Sequence, residues 1–274
     1  MRGIMRVPFI KMHGLGNDFV VLDARVDTVP AMDSRLAAAL ADRKTGIGCD
    51  QLILLEPSHV ADLRMRIFNA DGGEVEACGN ASRAVGLLHG AAATIETAGG
   101  LIATSPVAGG IAVDMGTPRF GWDEIPLAYA MDTLTMPVGW DGLESPAAVN
   151  VGNPHAVFFV EDCAGVDLAG LGPQIEHDPL FPERVNVNVA TVTERDAIRL
   201  RVWERGVGET RACGTGACAT AIAAMRRGLT ERTVKVSLAG GPLSIEWRAD
   251  NHIIMTGEAA ESFRGTFESS DYGA

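Results

Sequence analysis

Basic residues are scarce in this 274-residue chain. Lysine and arginine number 23 against 35 aspartates and glutamates, a net charge of −12 with a pI near 4.9. Proteins that hold a phosphate backbone present a basic face, so nucleic acid is excluded as a partner. Long apolar runs are also missing. No stretch approaches a membrane span, and the first residues, MRGIMRVPFIKMHG, lack the apolar core of a signal peptide. No membrane partner is expected, and a cytoplasmic location is. Finally, there is no CxxC pair and no His–His spacing beside the five cysteines, Cys49, Cys78, Cys163, Cys213 and Cys218. An odd count without such spacings argues against a disulfide framework and against a zinc site. No metal is expected, and each thiol must be judged alone.

Hydrophobic residues make up 47% and charged residues 21%, enough for a packed core in a chain long enough for two domains. The chain is in fact written twice. LRMRIFNADGGEVEACG from Leu63 and IRLRVWERGVGETRACG from Ile198 align without a gap. They share Arg64/Arg199, Arg66/Arg201, Gly73/Gly208, Glu74/Glu209 and Ala77/Ala212, and they end on Cys78 and Cys213, 135 positions apart. GNDFVVL at 16 answers GNPHAVFF at 152, AGGLI at 98 answers AGGPLSI at 239, and DMG at 114 answers MTG at 255. Four such pairs in one order indicate two copies of a folding unit. Their spacing sets domains at 1–120 and 121–261, with the tail 262–274 returning to the first. The proline-containing stretch 118–147 reads partly as linker.

Within each copy LRMRIF and IRLRVW alternate polar and apolar residues, as strands with one buried face do. After each cysteine comes a run of small and apolar residues, ASRAVGLLHG and TGACATAIAAMRRG, that suits a helix enclosed by sheet. Gly90 and Gly228 stop these helices, and Arg226 and Arg227 suit the negative end of the second. The expected class is α+β: two pseudo-symmetric domains, each a mainly antiparallel sheet wrapped around a central helix.

A cysteine at a helix entrance meets unsatisfied N–H groups and a partial positive charge. Such a thiol is expected to be acidified, and the N–H groups of Gly79, Asn80, Gly214 and Thr215 can hold a carboxylate. Two thiols facing one bound carboxylate suit removal of an amino-acid α-proton from one side and its return to the other. Burial as inert core is the alternative fate of a lone cysteine. It is expected of Cys49, Cys163 and Cys218, which have no partner in the other copy. His13 is expected to be structural and Arg83 to pair with a carboxylate.

KMHGLGNDFVVLD, GIGCDQL, FNADGGEVEACGN, GNPH, FPERVN and ERGVGETRACGTGACA, spread in order over most of the chain, resemble the diaminopimelate epimerase family. The resemblance implies interconversion of LL- and meso-2,6-diaminopimelate, in lysine and peptidoglycan precursor synthesis. It implies no pyridoxal phosphate or metal, and a homodimer. Carried over, Cys78 and Cys213 are the acid/base pair, and Asn17, Gln51, Asn69, Asn153, Asn186, Glu204 and Arg205 line the substrate pocket with the helix entrances. Arg205 is then the fork for the distal carboxylate, Glu204 offsets an ammonium or biases Cys213, and His155 tunes Cys78. Asn17 and Asn153, each beside glycine, could equally be turn residues. Relatives commonly have glycine at Ala81 and no cysteine at Cys49. Proline and hydroxyproline racemases use the same paired-thiol logic but place histidine after the first Cys-Gly, where this chain has Asn80. A thiol-redox protein would call for a CxxC, and a binding protein would need neither thiol.

Overall fold

The computed structural model describes residues 5–76 and 78–272, so Ala77 of the repeated segment lies outside the described residues. Two compact units are present, Met1–Val113 with Gly257–Ala274, and Asp114–Thr256. The division falls a few residues before the positions set by the repeat spacing.

The first unit starts with a hairpin. Strand Arg6–Gly14 turns through Leu15 and Gly16, both at positive φ (58° and 86°), into Asn17–Asp23. This two-residue turn matches strand twist, and it sets Asn17 at a strand entrance. A crossover through helix α1 (Ser34–Ala41) brings Gln51–Glu56 in parallel beside Asn17–Asp23, and Leu63–Asn69 follows antiparallel. Gln51 and Asn69 are thereby register partners at one sheet end. Helix α2 (Gly79–His89) leads to Ala93–Thr97, parallel to Leu63–Asn69, and to the antiparallel strands Gly100–Val107 and Gly110–Asp114. Strand Ala260–Glu268 closes the unit along Arg6–Gly14.

Strand periodicity sorts this core into two layers. Val20, Leu22, Leu52 and Leu54 pack with Leu36 and Leu40 of α1. The alternate residues Phe19, Val21, Ile53 and Leu55 pack with Ala81, Ala84 and Val85 of α2. Residues 80 to 86 of α2 are buried in an unbroken run, which one-sided packing cannot produce. A Cβ at Gly86 would stand 2.8 Å from Ile111 Cγ2, so the helix lies directly on the sheet.

The second unit repeats the order. Ala147–Asn150 and Pro154–Phe159 form a hairpin, and helix α3 (Leu168–Glu176) crosses to Asn186–Glu194, parallel to Pro154–Phe159. Ala197–Glu204 follows antiparallel, then helix α4 (Gly214–Arg226), then Thr233–Leu238, Gly241–Trp247 and Ile253–Gly257. Gly90 (φ 77°) ends α2 and Gly228 (φ 68°) follows the last residue capping α4. Arg227 is that cap, and its guanidinium donates to the Leu134 and Ser145 carbonyls. The stretch 118–147 is not linker. Ile125, Leu127, Met136 and Leu143 are buried in one cluster with Phe158 and with Leu168 and Ile175 of α3. Of its prolines, Pro126 lies in the turn 122–126, beside the buried Ile125 and Leu127.

Helix α4 leaves no room to grow. Ala219, Ala221, Ala223 and Ala224 are all 0% exposed. Ala221→Leu should destabilise the protein by about 1–3 kcal/mol through overpacking, read as a lower urea midpoint with an unchanged m-value.

Candidate active site

Cys78 is the N-cap of α2, with extended backbone (φ −148°, ψ 114°), and its sulfur accepts the Ala81 N–H at 3.5 Å. Cys213 is the N-cap of α4 (φ −127°, ψ 107°), and its sulfur accepts the Gly216 N–H at 3.4 Å. Both sulfurs therefore do the work that a serine or aspartate oxygen usually does. The first main-chain helical bonds run from Ser82 to Cys78 and from Ala217 to Cys213. Helix geometry thus points the N–H groups of Gly79, Asn80, Gly214 and Thr215 off the ends, where an anion can meet them.

Around Cys78 the first unit builds a charged support. Asn17 Oδ1 lies 3.9 Å from the sulfur and accepts from Asn80 Nδ2 at 3.3 Å. The Asn17 amide is oriented by donation to Asp50 at 3.1 Å, and Asp50 is held by Arg43 and the Asp18 N–H. Burial pushes the Asp18 carboxyl up, but hydrogen bonds from Arg43 and Lys11 outweigh it and hold the group well below the usual carboxylate range. On the other side Arg83, 0% exposed, donates to Asn80 Oδ1 at 2.9 Å, so it serves an amide at the helix entrance. Gln51 Nε2 donates to Asn69 at 3.0 Å, while Gln51 Oε1 is buried with no partner among the described residues. An ammonium donor would satisfy that oxygen.

The second unit surrounds Cys213 with neutral polar groups and one carboxyl. Thr215 Oγ1 is 3.5 Å from the sulfur, and Asn153 Nδ2 is 3.3 Å from Thr215. Asn153 Oδ1 lies 2.9 Å from Nε2 of His155, which is fully buried. Asn186 donates to the Pro154 carbonyl at 2.8 Å and accepts the Arg205 N–H at 3.0 Å, tying two recognition segments together. Arg205 directs one guanidinium nitrogen to the Glu183 carbonyl at 2.8 Å. Glu204 accepts from Thr210, and its pKa is raised, chiefly by burial.

Acidification by the helix end, expected for both thiols, does not describe Cys213. Burial, then the Glu204 charge, push its thiol well above the ordinary value. A thiol on a residue only 4% exposed loses more from desolvation as an anion than the nearby Thr215 hydroxyl and Gly216 N–H return. Burial also lowers His155 to about 4, against support from Asn188, and the Arg205 charge adds to the lowering. Cys49, Cys163 and Cys218 are buried, and burial pushes Cys49 up to about 11. No group of three or more His, Cys, Asp or Glu among the described residues could hold a metal, and no described helix is long and apolar enough to cross a membrane.

The structure gathers Asn17, Asn80 and Cys78 in the first unit, and Asn153, Thr215, Glu204 and Cys213 in the second. It also supplies groups that motif reading passed over. Asp50 and Arg43 orient Asn17, and Asn188 meets His155. Asp50 stands in the quoted GIGCDQL. Asn188 follows Asn186 by two positions, the spacing that puts both on one face of a strand.

Comparison places this architecture in a class of two-fold repeated sheet-and-helix proteins. The crystal structure of the Bacillus anthracis phenazine biosynthesis protein of the PhzF family has the same fold, with a TM-score of 0.69 at 16% identity over 96% of this chain and 99% of that one. The chain itself belongs to the diaminopimelate epimerase family, whose model matches residues 9–121 and 147–261. The diaminopimelate epimerase of Erythrobacter litoralis (strain HTCC2594) is 73% identical over 98% of this chain and 100% of its own length. That of Rhizorhabdus wittichii is 62% identical over 98% of each.

Two outcomes follow from the site's electrostatics. Glu204→Gln removes the charge opposing a Cys213 thiolate, so the pH midpoint for alkylation of Cys213 should fall, as followed by mass spectrometry of iodoacetamide-treated protein. His155 resists protonation in the folded state between its ordinary 6.5 and about 4, whereas the unfolded chain takes a proton there. Its contribution is therefore present above pH 6.5 and lost as pH falls towards 4, by up to about 3 kcal/mol. His155→Phe should show a shallower loss of unfolding free energy across that window.

Proposed function

We propose that this protein interconverts LL- and meso-2,6-diaminopimelate by passing the α-proton between Cys78 and Cys213, with no cofactor. The observation that carries the reading is the repeated one: each copy starts its buried helix on a cysteine whose sulfur is held by the helix's own N–H. Membership of the family, and relatives of that name matching over nearly the whole chain, support the substrate.

In one direction a thiolate takes the α-hydrogen as a proton, leaving its electron pair on the α-carbon and carboxylate. The opposite thiol then gives its proton to the other face of that carbon, and is left as thiolate. The number of protons is unchanged, and the roles exchange for the reverse reaction. The growing negative charge is met by the N–H groups at the two helix entrances, which are fixed before substrate arrives. Arg205 receives the distal carboxylate, and the neutral amides of Asn17, Gln51, Asn69, Asn153 and Asn186 orient the ligand without adding charge. Glu204 faces an ammonium and keeps Cys213 protonated until a proton is called for. His155 is assigned to tuning Cys78. A homodimer working in the cytoplasm on lysine and peptidoglycan precursors completes the reading.

The test is solvent deuterium uptake at the substrate α-carbon. Wild type should exchange with LL-diaminopimelate and not with proline, and Cys78→Ser and Cys213→Ser should each lose at least about a hundredfold in epimerisation. Full activity in either variant, or turnover of proline alone, would overturn the assignment.

A further inference from the structure

Behind Cys213 lies a polar trio that the other copy lacks. His155, Asn188 and Thr220 stand where the first copy has Phe19, Ile53 and Val85. The polar three are 0% exposed, and the apolar three, at most 1% exposed, belong to the core around α2. Polar groups in place of hydrocarbon are unfavourable unless every atom is hydrogen-bonded. The fold itself makes no demand for them, since hydrocarbon fills the same places in its twin.

Their bonds determine where protons can sit. Asn188 Nδ2 donates to the Gly216 carbonyl and to Thr220 Oγ1, each at 3.1 Å. Reversing this amide would set two oxygens against each other at Gly216, so its orientation is fixed. Asn188 Oδ1 therefore faces His155 Nδ1 at 3.3 Å and can only accept. A neutral imidazole has one N–H, which Asn188 claims for Nδ1, leaving Nε2 with a lone pair. The Asn153 amide lies beside that lone pair, with its oxygen 2.9 Å from Nε2. Only an amide nitrogen can serve a lone pair, and the two ends of an amide exchange places by a half-turn. That half-turn brings the Asn153 oxygen to the Thr215 hydroxyl, at the position now 3.3 Å from it. Thr215 has one proton. Spent on Asn153, it leaves only a lone pair for the sulfur 3.5 Å away.

We propose that Asn188 and His155 are positioning residues which, by turning the Asn153 amide, direct the Thr215 proton away from Cys213 and keep Cys213 as the proton-bearing thiol in the substrate-free protein. The inference rests on the two-thiol reading above. The charged neighbours act in the same sense: Glu204 opposes a thiolate at Cys213, and Arg205 opposes an imidazolium at His155. A thiolate there keeps the Gly216 N–H but is denied the hydroxyl.

The test reads the tautomer directly. In a two-bond proton–nitrogen correlation spectrum of histidine-labelled protein at pH 7, His155, assigned through His155→Gln, should carry its proton on Nδ1. A proton on Nε2, or on both nitrogens, overturns the inference. Asn188→Leu should move the proton to Nε2 and lower the pH midpoint of Cys213 alkylation by about one unit, the size of one hydrogen bond gained by the thiolate. Asn188→Asp, which keeps an acceptor at Nδ1, should retain the Nδ1 proton and not lower the midpoint. A purely structural Asn188 would reduce melting temperature in both variants while leaving tautomer and midpoint unmoved, and that result also overturns the inference. If Asn188→Leu does not fold, the wild-type spectrum still decides the tautomer, and Thr215→Val decides the second link. It should not raise the Cys213 midpoint, and a raised midpoint, showing that the hydroxyl serves the thiolate in wild type, overturns the inference. No readout here uses substrate, so failure leaves the epimerase reading standing, and failure of deuterium uptake leaves the tautomer result intact.

Discussion

A sulfur atom caps each of the two buried helices, and most of the architecture exists to hold that arrangement. The cap ties the thiol to the third helical N–H, which fixes the side chain and leaves the first two N–H groups for an anion. For the sulfur to stay there, the helix must be immobile. Enclosure by sheet achieves this: the buried runs on α2 and α4 exclude large side chains and anchor both entrances against strands. Charge and hydrogen bonding around the thiol then decide whether it holds or gives up its proton.

The two copies solve that second problem differently. Cys78 is half-buried beside an asparagine oriented by a charged network of Asp50, Arg43, Asp18 and Lys11. Cys213 is buried, faces a carboxyl, and sits at the end of a chain of neutral amides and an imidazole. Duplication explains the shared backbone, and the divergence falls on residues behind the thiols. Under the proposed two-thiol reading, such asymmetry gives the pair a preferred resting state, which a symmetric pair lacks.

Much of this was legible in the sequence because it depends on local rules. Alternation in LRMRIF and IRLRVW gave strands Leu63–Asn69 and Ala197–Glu204, and the glycines after the two apolar runs marked helix ends. The repeat led to Asn17, Asn153 and the two cysteines as corresponding positions. Distance in sequence hid the rest. The role of Asn188 depends on a carbonyl and a hydroxyl from α4 and an imidazole from a neighbouring strand, and no spacing announces such a meeting. Desolvation is equally invisible in a motif, so a helix-end rule that lowers thiol pKa gave the wrong direction for Cys213. Stretch 118–147 looked like linker because its prolines are obvious and the partners of its apolar residues are remote.

The central claim is that both sulfurs serve one carbon. The most direct measurement is a crystal structure with diaminopimelate bound. The account predicts one α-carbon between the two sulfurs, with its carboxylate against the helix-entrance N–H groups and one thiol facing each side of the stereocentre. A bound substrate reached by only one of the two sulfurs, or by both from the same face, would contradict it.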